Sequence, residues 1–498
     1  MAKEKKVLQT IIAIGLAILA AKILFPKMDL SLVSWAYLLA LFLVIPTLAL
    51  KKAGKAETFY FVSLLKTTRL NSLIEKISKP RLWDALADIG LVIGFGTIAV
   101  DYLYGRKQEK YKRALVAMVS AIALFTIFYA AMSPFFLRNG QEMQTVFMLF
   151  AAGFAIGGMM LFAIVSLVWQ GSDIITKIML GKTPCPGVAP IIPGVQIPNV
   201  PPALTPPLYI WGAFIIILVI HEFSHGALMR RAKVRLKSAG LLLLGLLPLG
   251  AFVEPDEEEI KAKPERQQLR VYAIGPASNI YSIAVFVAML LAISLILTPT
   301  LGETVNKMEK EIMIDSIVIT EVQEEYDICG NTVENPAKGT IEEGWILKKH
   351  NGIDLNSLYD FKQAFSKTDK NISMVFETRE GETVNLELEK NEYGRIGIVT
   401  EISYVEGKGP KEDYMNIVTF LSTISTFFGW LLLLSFALAT VNFLPNKPFD
   451  GGKIAQIMLV PYFGFMKMNK QDTQKLIERL ALWLVATLII INALPLFL

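Results

Sequence analysis

The chain has 498 residues, 53% of them hydrophobic, with 49 basic against 44 acidic side chains and a formal charge of +5. Its mean hydropathy of +0.48 is too high for a soluble enzyme, so the chain reads as a polytopic α-helical membrane protein. Basic residues stand in short runs beside apolar segments and form no stripe, which leaves nothing to hold a nucleic acid.

The start, MAKEKK followed by an apolar run from Val7 to Ala21, has the layout of a signal peptide. Leu19-Ala20-Ala21 is a poor cleavage site, so a retained first helix is expected. A span needs about 20 apolar residues. Segments 7–25, 30–50, 86–104, 114–137, 145–169, 208–229, 271–298, 415–443 and 479–497 qualify, about nine in all. Between Lys51 and Trp83, basic residues alternate with leucines and isoleucines as in an amphipathic helix at a membrane interface. Residues 1–180 thus form an amino-terminal membrane region of about five helices, and 181–207 a proline-rich extended loop.

Residues 208–300 and 415–498 form the two halves of a membrane core, separated by a charged segment, 312–404. There SIVITEV, ISMVFETR and TVNLELE read as strands and SLYDFKQAF as a short helix. With NPAKGTIEEGWILKKHNGIDL and GRIGIV, this insert resembles a PDZ domain, of mixed α/β fold. Arg230, Arg231, Lys233, Arg235 and Lys237 place the end of the 208–229 helix in the cytoplasm, and the insert then lies outside. One loop breaks the rule: Arg106, Lys107, Lys110, Lys112 and Arg113 face outside if every segment crosses. Cys185 and Cys329 read as two unrelated thiols, although a single bridge is open to them if both lie outside.

Ionisable groups inside a spanning segment are costly and mark function. HEFSH puts His221 and His225 on one helical face, with Glu222 beside them within reach of a metal-bound water. The bland alternative is a pair of satisfied core histidines. A catalytic zinc takes three protein ligands, and the best third is Asp450 in VNFLPNKPFDGGK, where prolines break the helix and Gly451-Gly452 allow a tight turn. Alone, Asp450 reads equally as a turn residue. The apolar stretch 238–253 is too short to span, and EPDEEE behind it reads as a solvated surface. His350 reads as a surface histidine, and Asp88 and Asp101 as groups at a polar seam or a membrane interface.

HEFSH, NFLPNKPFDGG, GPASN at Gly275–Asn279 and the PDZ-like insert together resemble the site-2 protease family of intramembrane zinc metalloproteases, in an archaeal form. The resemblance implies an endopeptidase of the cell membrane that cuts transmembrane segments of other proteins near its cytoplasmic side. It implies Zn²⁺ held by His221, His225 and Asp450, Glu222 as base, Asn442 touching the substrate backbone, and Asn279 as a second amide beside the catalytic helices. Phe449 stands where the family has leucine. Residues 238–253 resemble a re-entrant β-hairpin whose edge could receive an unwound substrate. The expected partners are membrane-protein helices, the bilayer, and peptide or protein tails at the PDZ-like insert. The rivals are a metal transporter using the same ligands and an inactive adaptor binding through that insert.

Overall fold

In lipid, an apolar chain satisfies its own backbone by forming helices, and most of this chain does so. The computed structural model describes residues 31–498 apart from 55, 60–61, 137–140, 198, 246 and 367–368; the span expected at 7–25 lies outside them. α1 (Ser31–Lys52) occupies the segment expected at 30–50. β1 (Glu57–Phe59), β2 (Val62–Thr67) and α2 (Arg69–Ile77) follow. The amphipathic helix expected over 51–83 is therefore reduced to α2. The physical reason is a competing partner, because β2 pairs antiparallel with residues 239–244 and puts its amides into a sheet.

α3 (Leu82–Leu103), α4 (Lys110–Phe136), α5 (Gln141–Met179) and α6 (Trp211–Arg231) come next. β3 (Leu236–Leu244) and β4 (Leu247–Pro255) form the hairpin expected around 238–253. The sheet runs β1-β2-β3-β4, so β2 covers β3 and only β4 keeps a free edge on this side. α7 (Glu257–Lys261) and α8 (Glu265–Glu311) lead to the inserted domain.

That domain comprises β5 (Ile314–Val322), β6 (Glu325–Ile328), β7 (Asn331–Glu334), β8 (Ile346–His350), β9 (Ile353–Asp354), α9 (Leu358–Phe365), β10 (Asn371–Glu377), β11 (Thr383–Glu389) and β12 (Ile398–Tyr404). Its main sheet runs β11-β10-β8-β5-β12 over a core of Ile317, Ile319, Leu347, Met374 and Phe376. A capping box of Ser357 and Asp360 starts α9. The chain then returns through α10 (Glu412–Asn442), α11 (Asp450–Met458) and α12 (Lys470–Ala493).

Among the described residues, seven helices are long and apolar enough to cross a membrane, against about nine expected for the whole chain. Two of the seven double back. In a straight helix, residues 150 and 162 stand about 18 Å apart along the axis, yet the rings of Phe150 and Phe162 lie 5.6 Å apart. The fold in α5 sits at Gly158, with φ 61° and ψ −153°, where only glycine is at ease. In α3 the turn is Gly96, with φ 55° and ψ −140°. Accordingly Arg266 pairs with Asp88 at 2.6 Å while its guanidinium lies 5.7 Å from the ring centre of Tyr104. The two tips touch: a Cβ on Gly96 would lie 2.6 Å from the Gly158 nitrogen.

Two further expectations are overturned. Cys185 and Cys329 form a disulfide with Cα atoms 4.5 Å apart, tying the proline-rich loop to the turn between β6 and β7. Sequence could not reveal that contact, which depends on Gly330 letting the loop approach: a Cβ there would lie 3.0 Å from the Thr183 carbonyl. The same loop is fastened to the end of α12, where Gly187 donates its N–H to the Asn492 carbonyl at 2.9 Å. His350 is buried, not at the surface, with its ring 4.2 Å from that of Phe365. Asn351 and Gly352 do form a turn, with φ of 48° and 77°, but the preceding strand directs the imidazole inward. Burial pushes the pKa of His350 below its ordinary value.

Candidate metal centre

α6 runs uninterrupted from Trp211 because its apolar residues carry no breaker, and it ends in Arg230 and Arg231, where cations suit the helix dipole. A spacing of four on this helix puts His221 and His225 one above the other, with Nε2 atoms 3.2 Å apart. The third group arrives from the other half of the core. α10 ends at Asn442, and the turn before α11 brings Asp450 Oδ2 to 3.0 Å from His225 Nε2 and 3.3 Å from His221 Nε2. Gly451 and Gly452 make this approach feasible, since a Cβ on either would collide with the backbone of residues 443–447.

Zn–N bonds of about 2.0–2.1 Å imply a spacing of about 3.3 Å between tetrahedral ligands, close to the 3.0, 3.2 and 3.3 Å found here. His225 Nδ1 lies 2.6 Å from the Val271 carbonyl, which can only accept, so Nδ1 carries a hydrogen, and in the neutral ring Nε2 keeps the lone pair that a metal needs. In that neutral form the lone pair and the Asp450 carboxylate face one another at 3.0 Å in a buried place, where a cation can be held by both. The donor set thus fits Zn²⁺ on chemistry as well as spacing. Among the described residues this is the one cluster of three such side chains able to hold an ion.

The centre opens into a cavity of about 830 Å³ lined by His221, Glu222, His225, Asp450, Asn442 and Val253, and also by Lys447, Lys453, Gln456 and Glu257. Glu222 faces this space, and its Oε2 accepts the Val253 N–H at 3.0 Å. Asn442 lines the cavity and donates from Nδ2 to the Leu438 carbonyl at 3.0 Å. Asn279 is placed differently: it is fully buried in α8 behind His221, with Nδ2 3.1 Å from Nδ1 of that ring. Near the end of β4, the Ser238 hydroxyl and the Lys66 ammonium hold the Glu254 carboxyl below its usual range.

The structure therefore brings His221, Glu222, His225, Asp450 and Asn442 to one cavity and puts Asn279 outside it. Sequence reasoning missed the backbone partners, Val253 N–H and Val271 carbonyl. It also missed the role of Gly275, where a Cβ would collide with the His225 ring. The signal was present in GPASN, whose glycine falls four residues from both Val271 and Asn279 and so shares their helix face.

Against known proteins, the model of peptidase family M50 matches residues 209–488. An uncharacterized protein of the archaeon Methanocaldococcus jannaschii is 26% identical over 283 residues, which cover 56% of this chain and 63% of that protein. The match thus spans under two thirds of the length of that relative. The family match takes in the inserted domain, most of α12 and every element that builds the centre, namely α6, the hairpin, α8, α10 and α11, and on that ground the chain belongs to peptidase family M50, the site-2 proteases, a family of membrane metalloproteases.

Proposed function

We propose that this protein is a zinc-dependent intramembrane endopeptidase that cleaves transmembrane segments of other membrane proteins. The observation that carries the reading is the convergence of His221, His225 and Asp450 beside Glu222 in a polar cavity. Zinc, when bound by the three side chains, supplies a Lewis acid that polarises the scissile carbonyl and acidifies the attacking water. Glu222 takes the proton from that water and passes it to the leaving amine. The Val253 N–H fixes its carboxylate at 3.0 Å, so that the base is oriented before substrate arrives. Asn442, which lines the same cavity, offers its amide to the substrate backbone. A substrate helix must first unwind, and the free edge of β4 can receive it as an added strand that leads to the cavity at Val253.

The folded-back helices support an orientation in which every basic loop lies on one side. If α3 enters and leaves on the same face, the run Arg106–Arg113 sits with Arg230 and Arg231 in the cytoplasm, as charge statistics require. Contacts agree with this: Tyr102 donates to Glu265 at 2.5 Å, and Lys470 pairs with Glu265 at 2.6 Å, so these segments share a face. The inserted domain then lies outside with the proline-rich loop. It resembles a PDZ module, and its proposed task is to screen substrates by size or tail. The decisive experiment is cleavage of a reporter membrane helix by purified protein with zinc. Loss of cleavage in Glu222→Gln with metal retained supports the reading, whereas an unaffected variant, or zinc flux through vesicles that survives the substitution, sinks it.

A further inference from the structure

Glycine, proline and asparagine of GPASN have no task in the chemistry above, yet one face of α8 touches both imidazoles. Val271, Gly275 and Asn279 recur every four residues, and so do His221 and His225 on α6. The Val271 carbonyl holds His225 Nδ1 at 2.6 Å, Gly275 leaves room for that ring, and Asn279 meets His221 Nδ1 at 3.1 Å. The Asn279 side chain is fully buried, and its Oδ1 has no partner among the described residues.

We propose that Asn279 is a positioning residue that accepts the Nδ1 hydrogen of His221 through Oδ1 and thereby fixes the ring tautomer that binds metal. The argument is one of donors and acceptors. When Nδ2 faces Nδ1, the imidazole nitrogen must accept, its hydrogen sits on Nε2, and that hydrogen points at Asp450 in the place of an ion. When the ion is bound, Nε2 must give a lone pair, Nδ1 must carry the hydrogen, and only the amide oxygen can receive it. Oxygen and nitrogen of an amide have nearly the same shape, so a half-turn of the side chain converts one arrangement to the other without moving either helix. For His225 the same service comes from a backbone carbonyl, which cannot turn. The two ligands are thus held unequally, one by fixed main chain and one by a reversible side chain. Outer partners of this kind typically change metal affinity about 10–100-fold.

This rests on the zinc-centre reading, and its test is metal binding, not cleavage. Co²⁺ affinity of the full chain in detergent is measured by competition with a chromophoric chelator, together with the visible absorption of the bound ion. Asn279→Leu, similar in size but with no acceptor, is expected to bind about 10–100-fold more weakly. Asn279→Asp, which keeps the oxygen, is expected to bind at least as tightly as the parent with intense tetrahedral bands. A leucine variant that binds like the parent overturns the proposal. So does an aspartate variant weakened tenfold or more, and this arm decides the matter if the leucine variant does not fold. A parent protein that binds Co²⁺ and cleaves nothing would count against the protease reading while leaving this comparison intact.

Discussion

α5 and α6 are both apolar helices, and α5 is the more apolar. Yet α6 is continuous from Trp211 to Arg231, whereas α5 turns back on itself at Gly158. Hydropathy measures the cost of leaving water and carries no information on direction. Direction in α5 is set by a single residue with φ 61°, packed against another with φ 55° in α3. The amino-terminal region therefore uses its apolar surface for packing between helices, while the less apolar α6 carries two imidazoles whose partners on α8 and α11 supply a carbonyl, an amide and a carboxylate.

The widest separation between these regions should appear in chemistry. Glu222→Gln is expected to lower the rate of reporter cleavage by about 10²–10⁴-fold with melting temperature and metal content unchanged, since the amide keeps an oxygen to accept the Val253 N–H. An all-or-none contrast is expected in topology. In a protein lacking Cys185 and Cys329, Gln108→Cys should react with an impermeant thiol reagent only from the cytoplasmic side, and Lys182→Cys only from outside. Labelling of Gln108→Cys from outside would mean that α3 crosses after all. Gly158→Leu should damage the scaffold by about 2 kcal/mol or more, from the left-handed backbone and collision with residues 93–95. Thermal unfolding in detergent reads that loss, and a leucine variant as stable as the parent would deny the tip contact its role.

The smallest effect lies in the inserted domain. His350 is held neutral by burial, so the folded state binds fewer protons than the unfolded state as pH falls below about 6.5. Domain stability should therefore decline as pH is lowered through and beneath that value, and His350→Phe should flatten the decline. Melting curves between neutral and mildly acidic pH provide the measurement.

Much of the centre was legible because a spacing of four on a helix fixes two donors whatever the remainder of the fold. Asp450 was legible through the prolines and glycines that force the chain to turn beside it. Strands β5, β10 and β11 announced themselves by alternation. β2 did not, since VSLLKT has the composition of an interfacial helix until the partner strand β3 is known. The disulfide between Cys185 and Cys329 depends on a loop meeting a hairpin 144 residues away. His350 showed a polar neighbourhood in KKHNGID, and only the pleat of β8 decided which way its ring faced. Glycines 96 and 158 stood in apolar runs where several other glycines remain helical, so nothing local marked them as turning points.

The touching tips of α3 and α5 also bear on biosynthesis. Gly158 follows Gly96 by 62 residues, so the turn at Gly96 has no counterpart until α4 and the first part of α5 have been synthesised. The close approach of the two tips therefore forms only after both turns exist, and shortening the stretch between the two glycines would advance or prevent their meeting.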